Sequence, residues 1–518
     1  MPITANSIAP GVGVLADNVP FEAGAQVLPR KILILAQLDP GKANDVDLDE
    51  PKRVLSAEAV GAKGGFGYMA HRLAKRVFET AQGVPVYISY QDEPEGAAQA
   101  SGEISITASD ARSGVLALYI AGERVSVNVE TGDDGDAIAE KIVAAIENDS
   151  DLPVTAEVDG TDENQANVTA KSAGPWGDAI TLELNLNPDD ETPSGVDVSI
   201  TDMSGGSGVP DLETALKNLG AGDDANSDYY TDVVHGYLQE TAALDEISQY
   251  VGEGNTASGL YARMVHRPFR ALTGDTKPGE SGFTDLISLA DGRRMDRANG
   301  VIAAPGSPNH PSEIAALALG AIATIDNRSP AESYAGTMLP GVYPGSDRWT
   351  DDYEDRDSAA RNGIGATRKV SGVLEIQNMM TFYRPEDVPP ASNGYRFMRS
   401  IALLQNIMFN ISLNFRGPRW KGFYVVEDVG LVTNPEAARK ARDTDSVRND
   451  LVGLTEDFAG FGWIFSETPT LEALEKADAV VLRENGTGFD ITYRVVFSGE
   501  GGILNTRVEF DTSLAVVL

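Results

Sequence analysis

Strand patterning at both ends of the chain constrains its fold more than any other feature. Near the start, Ile8, Pro10, Val12 and Val14 alternate with Ala9, Gly11 and Gly13 until Asp17, Asn18 and Pro20 break the run. Period two over this length reads as one extended strand. Pro10 has no N–H to give to a ladder, so the strand belongs on a sheet edge rather than inside a sheet. At the other end Ile491, Tyr493, Val495 and Phe497 alternate, and Val508 and Phe510 follow. Bare amides and carbonyls on a terminal strand attract other chains, whereas in a polymer the same groups form a ladder at fixed register.

Between these ends lie enough residues for several packing units, because 518 residues exceed what one hydrophobic core serves. With 42% hydrophobic and 23% charged residues the chain has the composition of a folded protein rather than a disordered one. Acidic side chains outnumber basic ones 78 to 41, and the resulting charge of −37 repels nucleic-acid phosphates and anionic membrane surfaces. No cysteine is present, which excludes disulfides, thiolate metal sites and cysteine nucleophiles. The opening Met1-Pro2-Ile3-Thr4-Ala5-Asn6 lacks the blocks of a secretory signal. No run approaches the roughly 18 apolar residues that span a bilayer. A soluble chain made in the cytoplasm, without membrane insertion, is expected.

Residues 31–36 and 84–90 read as strands on either side of a helix over 68–80, an α/β beginning. After a linker near 95–98, strands are expected at 104–107, 115–120, 125–129, 154–158 and 180–186. They surround one helix capped by Asp134 or Asp136, with Ile138, Ile142, Val143 and Ile146 on one face. This is a small α+β module. Pro and Gly between 188 and 210 read as a second linker, ahead of a helix over 211–219 and a long α/β part. There the strand Val301–Ala304 leads to a helix for which Ser312 is the N-cap candidate. Phe397, Ile401, Leu404, Met408, Ile411 and Phe415 mark a further amphipathic helix, and Pro435 opens another that runs into the 450s.

Signals for chemistry are weak. Gly65-Phe66-Gly67-Tyr68-Met69-Ala70 matches G-x-G-x-x-A, but no strand pattern precedes it, so a glycine-rich helix entry is favoured over a dinucleotide site. Asp45, Asp47 and Asp49 lack the glycine and twelfth-position glutamate of a calcium loop. Asp351, Asp352, Glu354, Asp355 and Asp357 could hold a hard cation, but with Arg348 and Arg356 among and beside them a solvated loop is favoured. None of His71, His235, His266 and His310 sits in a zinc-protease motif, and neither a nucleophile elbow nor a phosphate loop occurs. No catalytic residue, metal or cofactor is expected. One charge feature stands apart: Arg396, Arg399, Arg416, Arg419 and Lys421 lie in residues 391–426 without a carboxylate, a net +5 that leaves −42 elsewhere. Such segregation suits a face that docks an acidic partner, or else pairs with the chain's own carboxylates.

Several blocks together resemble the tail-sheath proteins of contractile-tailed phages, of the Mu-like type. They include Ala62 to Tyr90, Leu118-Tyr119-Ile120-Ala121-Gly122 with Val125, Val127 and Val129, and Leu152-Pro153-Val154-Thr155-Ala156. Also family-like are Ala173-Gly174-Pro175-Trp176-Gly177, Ile302-Ala303-Ala304-Pro305-Gly306, Met338-Leu339-Pro340-Gly341-Val342, Arg361-Asn362-Gly363-Ile364 and Gly372-Val373-Leu374-Glu375-Ile376.

The resemblance implies a multidomain α/β and α+β fold: a conserved α/β sheath core, an inserted α+β domain and extended terminal arms. In this sequence that divides as an arm over 1–20, the first part of the core over 21–98, the insertion over 99–190, a middle α/β domain over 191–390 and a C-terminal domain over 391–518. It implies a non-enzymatic subunit of hexameric rings stacked helically around a tail tube. Ile8, Pro10, Val12, Val14, Val508 and Phe510 would exchange strands between copies. Arg396, Arg399, Arg416, Arg419 and Lys421 become candidates for facing the tube protein. Baseplate and tail terminator proteins are further implied partners, the phage virion the implied location, and host cytoplasm the place of assembly. Heterologous contacts that do not close propagate as a helix, and contraction needs two lattice arrangements of the folded subunit. Two readings compete with this one. A virion-surface or adhesin-type binding protein predicts discrete oligomers, and an enzyme predicts paired carboxylates of shifted pKa.

Overall fold

A computed structural model describes residues 24–219, 229–251, 270–277, 279–345, 352–384 and 393–499. Ile8, Pro10, Val12, Val14, Val508 and Phe510 lie outside the described residues. The chain divides into two compact units, one of Val27–Ser412 with Phe497–Leu518 and one of Met1–Gln26 with Leu413–Val496.

The larger unit opens with β1 (Ile32–Gln37), β2 (Lys52–Val54), α1 (Ala57–Gly64), α2 (Met69–Thr80) and β3 (Val86–Gln91). A middle stretch follows with β4 (Ser101–Ala108), β5 (Gly114–Ile120), β6 (Glu123–Val129), α3 (Gly135–Glu147), β7 (Val154–Val158), β8 (Gln165–Ala170), β9 (Leu182–Leu184) and β10 (Val196–Ser204). The chain then continues through α4 (Glu213–Asn218), β11 (Asp232–His235), α5 (Thr241–Val251), β12 (Arg270–Asp275), α6 (Gly279–Gly292), β13 (Asn299–Ala303) and α7 (Pro311–Arg328). Last come α8 (Tyr353–Arg361), β14 (Gly365–Val370), β15 (Val373–Asn378) and α9 (Met398–Phe415).

Eight strands form one sheet in the order β15-β14-β13-β12-β11-β1-β3-β2. Pairing is parallel from β3 across β1, β11, β12 and β13 to β14, and antiparallel at both margins. The six residues of β1, Ile-Leu-Ile-Leu-Ala-Gln, are all buried, as an unbroken apolar run requires when helices cover both faces of a parallel sheet. Alternation along β13 shows the two faces. Ile302 joins the large core with α2 and α7, whereas Val301 and Ala303 pack with Leu244 of α5 and Leu286 and Ala290 of α6. Strands from residues 32–91 and from residues 232–378 therefore share a single sheet.

The middle stretch builds two smaller sheets, β10-β4-β8-β7 and β6-β5-β9, over α3. Asp134 accepts from Ala137 N and caps α3, which buries Ile138, Ala139, Ile142 and Ile146 and leaves Val143 half-buried. Two strands run against the sequence expectation: β8, and β10 inside the expected linker of 188–210. Val196, Val198 and Ile200 alternate beneath the Gly and Pro signal, and the strand pairs with β4 from Val196↔Ala108 to Ser204↔Ser101. At the helix after β13 the cap is His310 rather than Ser312. Pro311 takes the first helical position, where a missing N–H costs nothing, and His310 Nδ1 accepts from Ser312 N.

In the smaller unit the described residues form β16 (Tyr424–Val425), α10 (Pro435–Ala438), β17 (Ala441–Arg442), α11 (Thr444–Gly460), α12 (Thr468–Leu474), β18 (Val480–Leu482) and β19 (Phe489–Ile491). The helix expected from Pro435 into the 450s is thus two helices. Asp443 ends the intervening strand and starts α11 with a capping box shared with Ser446. The core is small, with Trp420, Val447, Leu451, Leu474 and Val480 buried and Phe415, Phe423, Phe489 and Tyr493 packed against them.

Candidate assembly surfaces

Two fixed joints hold the middle stretch to the large sheet. At one, Glu313 of α7 takes Arg72 Nε at 2.7 Å and Arg76 Nε at 2.8 Å, while Glu123 takes Arg72 Nη1 at 2.9 Å. Burial alone would raise the Glu313 pKa, but the Arg72 and Arg76 guanidiniums more than offset it and hold the carboxyl below its usual range. At the other, Trp176 Nε1 donates to Ser312 Oγ at 3.1 Å, and His310 Nε2 lies 2.9 Å from the Trp176 carbonyl. Since Nδ1 accepts from Ser312 N, the imidazole is neutral with its proton on Nε2. Burial pushes its pKa down to about 4.

The G-x-G-x-x-A segment serves the same packing. Helix α1 precedes it, so the strand–turn–helix of a dinucleotide site is absent. Gly67, at φ 80°, sits where a Cβ would meet Leu152 O at 2.2 Å and Lys171 Nζ at 2.5 Å. Of the acidic run near 351–357, Asp352 accepts from Glu354 N and caps α8. Among the described residues no group of three or more His, Asp or Glu is arranged to hold a metal, and no helix is long and apolar enough to cross a membrane.

Sheet edges differ in how they are guarded. Beyond β15, Gly336 N and Leu339 N donate to Ile376 O and Leu374 O, and Ile376 N donates to Thr337 O, so a loop covers that edge. At the opposite margin β2 is three residues long with Lys52 and Arg53 exposed, which discourages further pairing. The β18–β19 pair has no such guard. Its register is Val480↔Ile491 to Leu482↔Phe489, and among the described residues neither outer edge carries another strand. Val481, Leu482 and Ile491 are exposed on it.

Apolar exposure concentrates in the same unit. Leu413, Tyr424, Leu431, Phe461, Phe465, Val481, Leu482, Ile491 and Val496 are exposed, and Phe465 and Leu431 are 75% and 73% open. An isolated two-stranded ribbon over so small a core is marginal in water, and exposed apolar side chains gathered in one unit are the kind of surface that partners cover in other proteins.

The five basic residues separate into two kinds. In the larger unit Arg399 is 4% exposed and donates to Ala331 O and to Ser498 O. Half-buried Arg396 reaches the carbonyls of Ala360 and Arg361 at 2.9 Å each, and burial together with neighbouring Arg384 lowers its pKa. In the smaller unit Arg416, Arg419 and Lys421 are exposed. Arg419 pairs with Asp450, which also accepts Trp420 Nε1 at 2.6 Å. Lys440, distant in sequence from that run, joins them by donating to Lys421 O at 2.9 Å, and Arg442 lies over the Trp420 ring at 5.5 Å. The signal for Lys440 and Arg442 was the strand at 441–442, too short to show as a pattern.

No protein-family profile matches the chain. Over 459 residues it is 25% identical to the "Mu-like prophage FluMu tail sheath protein" of Haemophilus influenzae, covering 86% of this chain and 88% of the relative. The chain resembles the tail sheath proteins of Mu-like phages. That relative is a structural tail protein, not an enzyme. Solved sheath structures cover nearly the whole chain at low identity: a sheath tail protein of Listeria innocua over 92% of this chain and 94% of its own, with 11% identity and a TM-score of 0.44. A Desulfitobacterium hafniense sheath tail protein matches over 91% and 94%, with 9% identity and a TM-score of 0.42. The contracted sheath complex of an extracellular contractile injection system matches over 98% and 99%, with 9% identity and a TM-score of 0.44.

Proposed function

We propose that this chain is the structural subunit of a contractile phage tail sheath, stacked as hexameric rings around the tail tube and shortening to drive the tube through the host envelope. The observation that carries this reading is the sequence match to a tail sheath protein over 86% of the chain. It works as a virion component rather than as a catalyst, assembles in the host cytoplasm, and meets tube, baseplate and terminator proteins.

Within the subunit, segments 21–98 and 205–390 form the body, and the insertion takes in residues 99–204, a reading supported by the pairing of β10 with β4. The arms around Ile8–Val14 and Val508–Phe510 from adjacent copies add to the open edges of β18 and β19. Main-chain ladders then give affinity, and pockets for alternate side chains give register. Arg416, Arg419 and Lys421, with Lys440, face the tube; Arg396 and Arg399 support the body. Sedimentation velocity across a concentration series tests the reading. Open-ended growth to species of no fixed size is expected, and a single discrete oligomer at all concentrations would favour an adhesin-type protein instead.

A further inference from the structure

The roots of both terminal segments meet on one helix. Leu28 N donates to Asn406 Oδ1 at 2.6 Å, and Arg30 Nη1 and Nη2 donate to Gln405 Oε1 at 2.7 Å and Ala402 O at 3.2 Å. On the same stretch of α9, Arg399 holds the far end of the chain, with Nη1 to Ser498 O at 2.8 Å and Nη2 to Ser498 Oγ at 3.1 Å. The chain thus leaves α9, folds residues 413–496 as a separate unit, and returns to the helix it left.

Buried charge fixes this stretch of α9 to the central sheet. Arg270 of β12 donates through Nη1 to Met398 O at 2.9 Å and through Nε to Asp232 of β11 at 2.6 Å, and it pairs with Asp326 of α7. Arg30 lies 4.0 Å from the same Asp326, whose carboxylate also accepts the Tyr334 hydroxyl at 2.8 Å. Arg30, Arg270, Asp232 and Asp326 are all fully buried, two of each sign. Hydrophobic residues of similar volume would pack such a core at least as stably, so the ionic arrangement calls for a reason besides stability. Directional, charge-assisted bonds resist sliding in a way that apolar contacts do not.

We propose that residues 398–406 of α9 form a tension joint. Load that reaches Arg30 or Ser498 enters this helix through Arg30 or Arg399; ahead of Arg30, Ala25 N also donates to Asp457 Oδ2 at 3.0 Å. From the helix it passes through Arg270 and Asp326 into β11, β12 and α7. This role rests on the sheath reading, since a mesh of exchanged strands is what would pull on the termini. The joint itself is a property of the single chain. Arg399 and Arg30 act as positioning residues that keep both roots in place while subunits are dragged between two lattices.

Single-molecule pulling of the full chain tests it. Because the protein has no cysteine, one appended at each end gives two unique handles. Opening of the joint frees the Ser498 end from α9 and puts residues 413–496 in the line of load, so that their unfolding follows as a second step of about 300 Å in contour length. Arg399→Met is expected to raise the opening rate at fixed force at least about tenfold, and Arg399→Lys to fall between. The ellipticity of the unloaded chain stays unchanged, so that the difference is read under load. An opening rate equal to that of the native chain overturns the proposal. Should Arg399→Met fail to fold, Arg399→Lys against the native chain carries the same comparison. Tube formation, imaged separately, reports on the sheath reading alone: loss of tubes with the force difference intact removes the function and leaves the joint.

Discussion

At the scale of single residues, two buried histidines and the Glu313 cluster make the body acid-sensitive, in two windows. His310, at the joint with Trp176, and His235, in β11 of the central sheet, are fully buried, and burial lowers the pKa of each to about 4. An unfolded chain then takes up protons first. Their contribution is complete above about pH 6.5 and declines toward pH 4, by up to about 3 kcal/mol per histidine. Glu313 acts lower down. Its depressed pKa means that its stabilisation is present above about pH 4.5 and is lost as the pH falls further. Glu313→Gln removes the fully buried carboxylate between Arg72 and Arg76, which keep Glu123 at 2.9 and 3.3 Å, and is expected to cost about 3 kcal/mol at pH 7. Urea midpoints of the native and Glu313→Gln chains should converge as the pH drops from 4.5 to 3, and a gap independent of pH would count against the pairing. None of this was legible beforehand. Arg72 and Glu313 stand 241 positions apart, and no local pattern announces a pair whose partners are brought together by α2 packing on α7.

At the scale of elements, what the sequence showed depended on whether a period survived long enough to be seen. Strands β4 to β7 and helix α3 were readable because one buried face imposed period two or 3.6 on them. Strand β10 was hidden by Pro193, Gly195 and Gly205 at its ends, and β8 by its small polar residues Gln165, Asn167 and Thr169. The break before α11 was a capping decision at Asp443, whose side chain accepts from both Ser446 N and Val429 N. Of the residues proposed to face the tube, Arg416, Arg419 and Lys421 were legible as a carboxylate-free run. Burial decided Arg396 and Arg399, and burial is a tertiary fact. Element-level reasoning also makes the β18–β19 pair testable. Leu482 is 42% exposed, so Leu482→Lys should alter monomer stability by no more than about 0.5 kcal/mol. It places a charge on the edge proposed to receive a borrowed strand and is expected to abolish polymer growth, read by light scattering. Undiminished growth would move the exchange site elsewhere.

For the whole molecule, charge distribution separates self-assembly from docking. Residues 99–204 hold 22 acidic and four basic side chains, so about half of the net −37 sits in this stretch. Repulsion between these stretches opposes crowding of copies and is screened by salt, whereas attraction of a basic face for an acidic partner weakens with salt. Reversing Arg416, Arg419 and Lys421 to glutamate should therefore lower co-sedimentation with tube protein at least about tenfold at low ionic strength and leave sheath growth intact. Equal loss of both activities would return these residues to a structural role.

The central claim is that the chain completes its sheets with backbone from adjacent copies. Negative-stain electron microscopy of the purified full chain beside a chain lacking residues 1–20 tests this most directly. The account predicts long, striated tubes from the full chain and folded, dispersed particles from the shortened one. Tubes of equal length and order from both would contradict it.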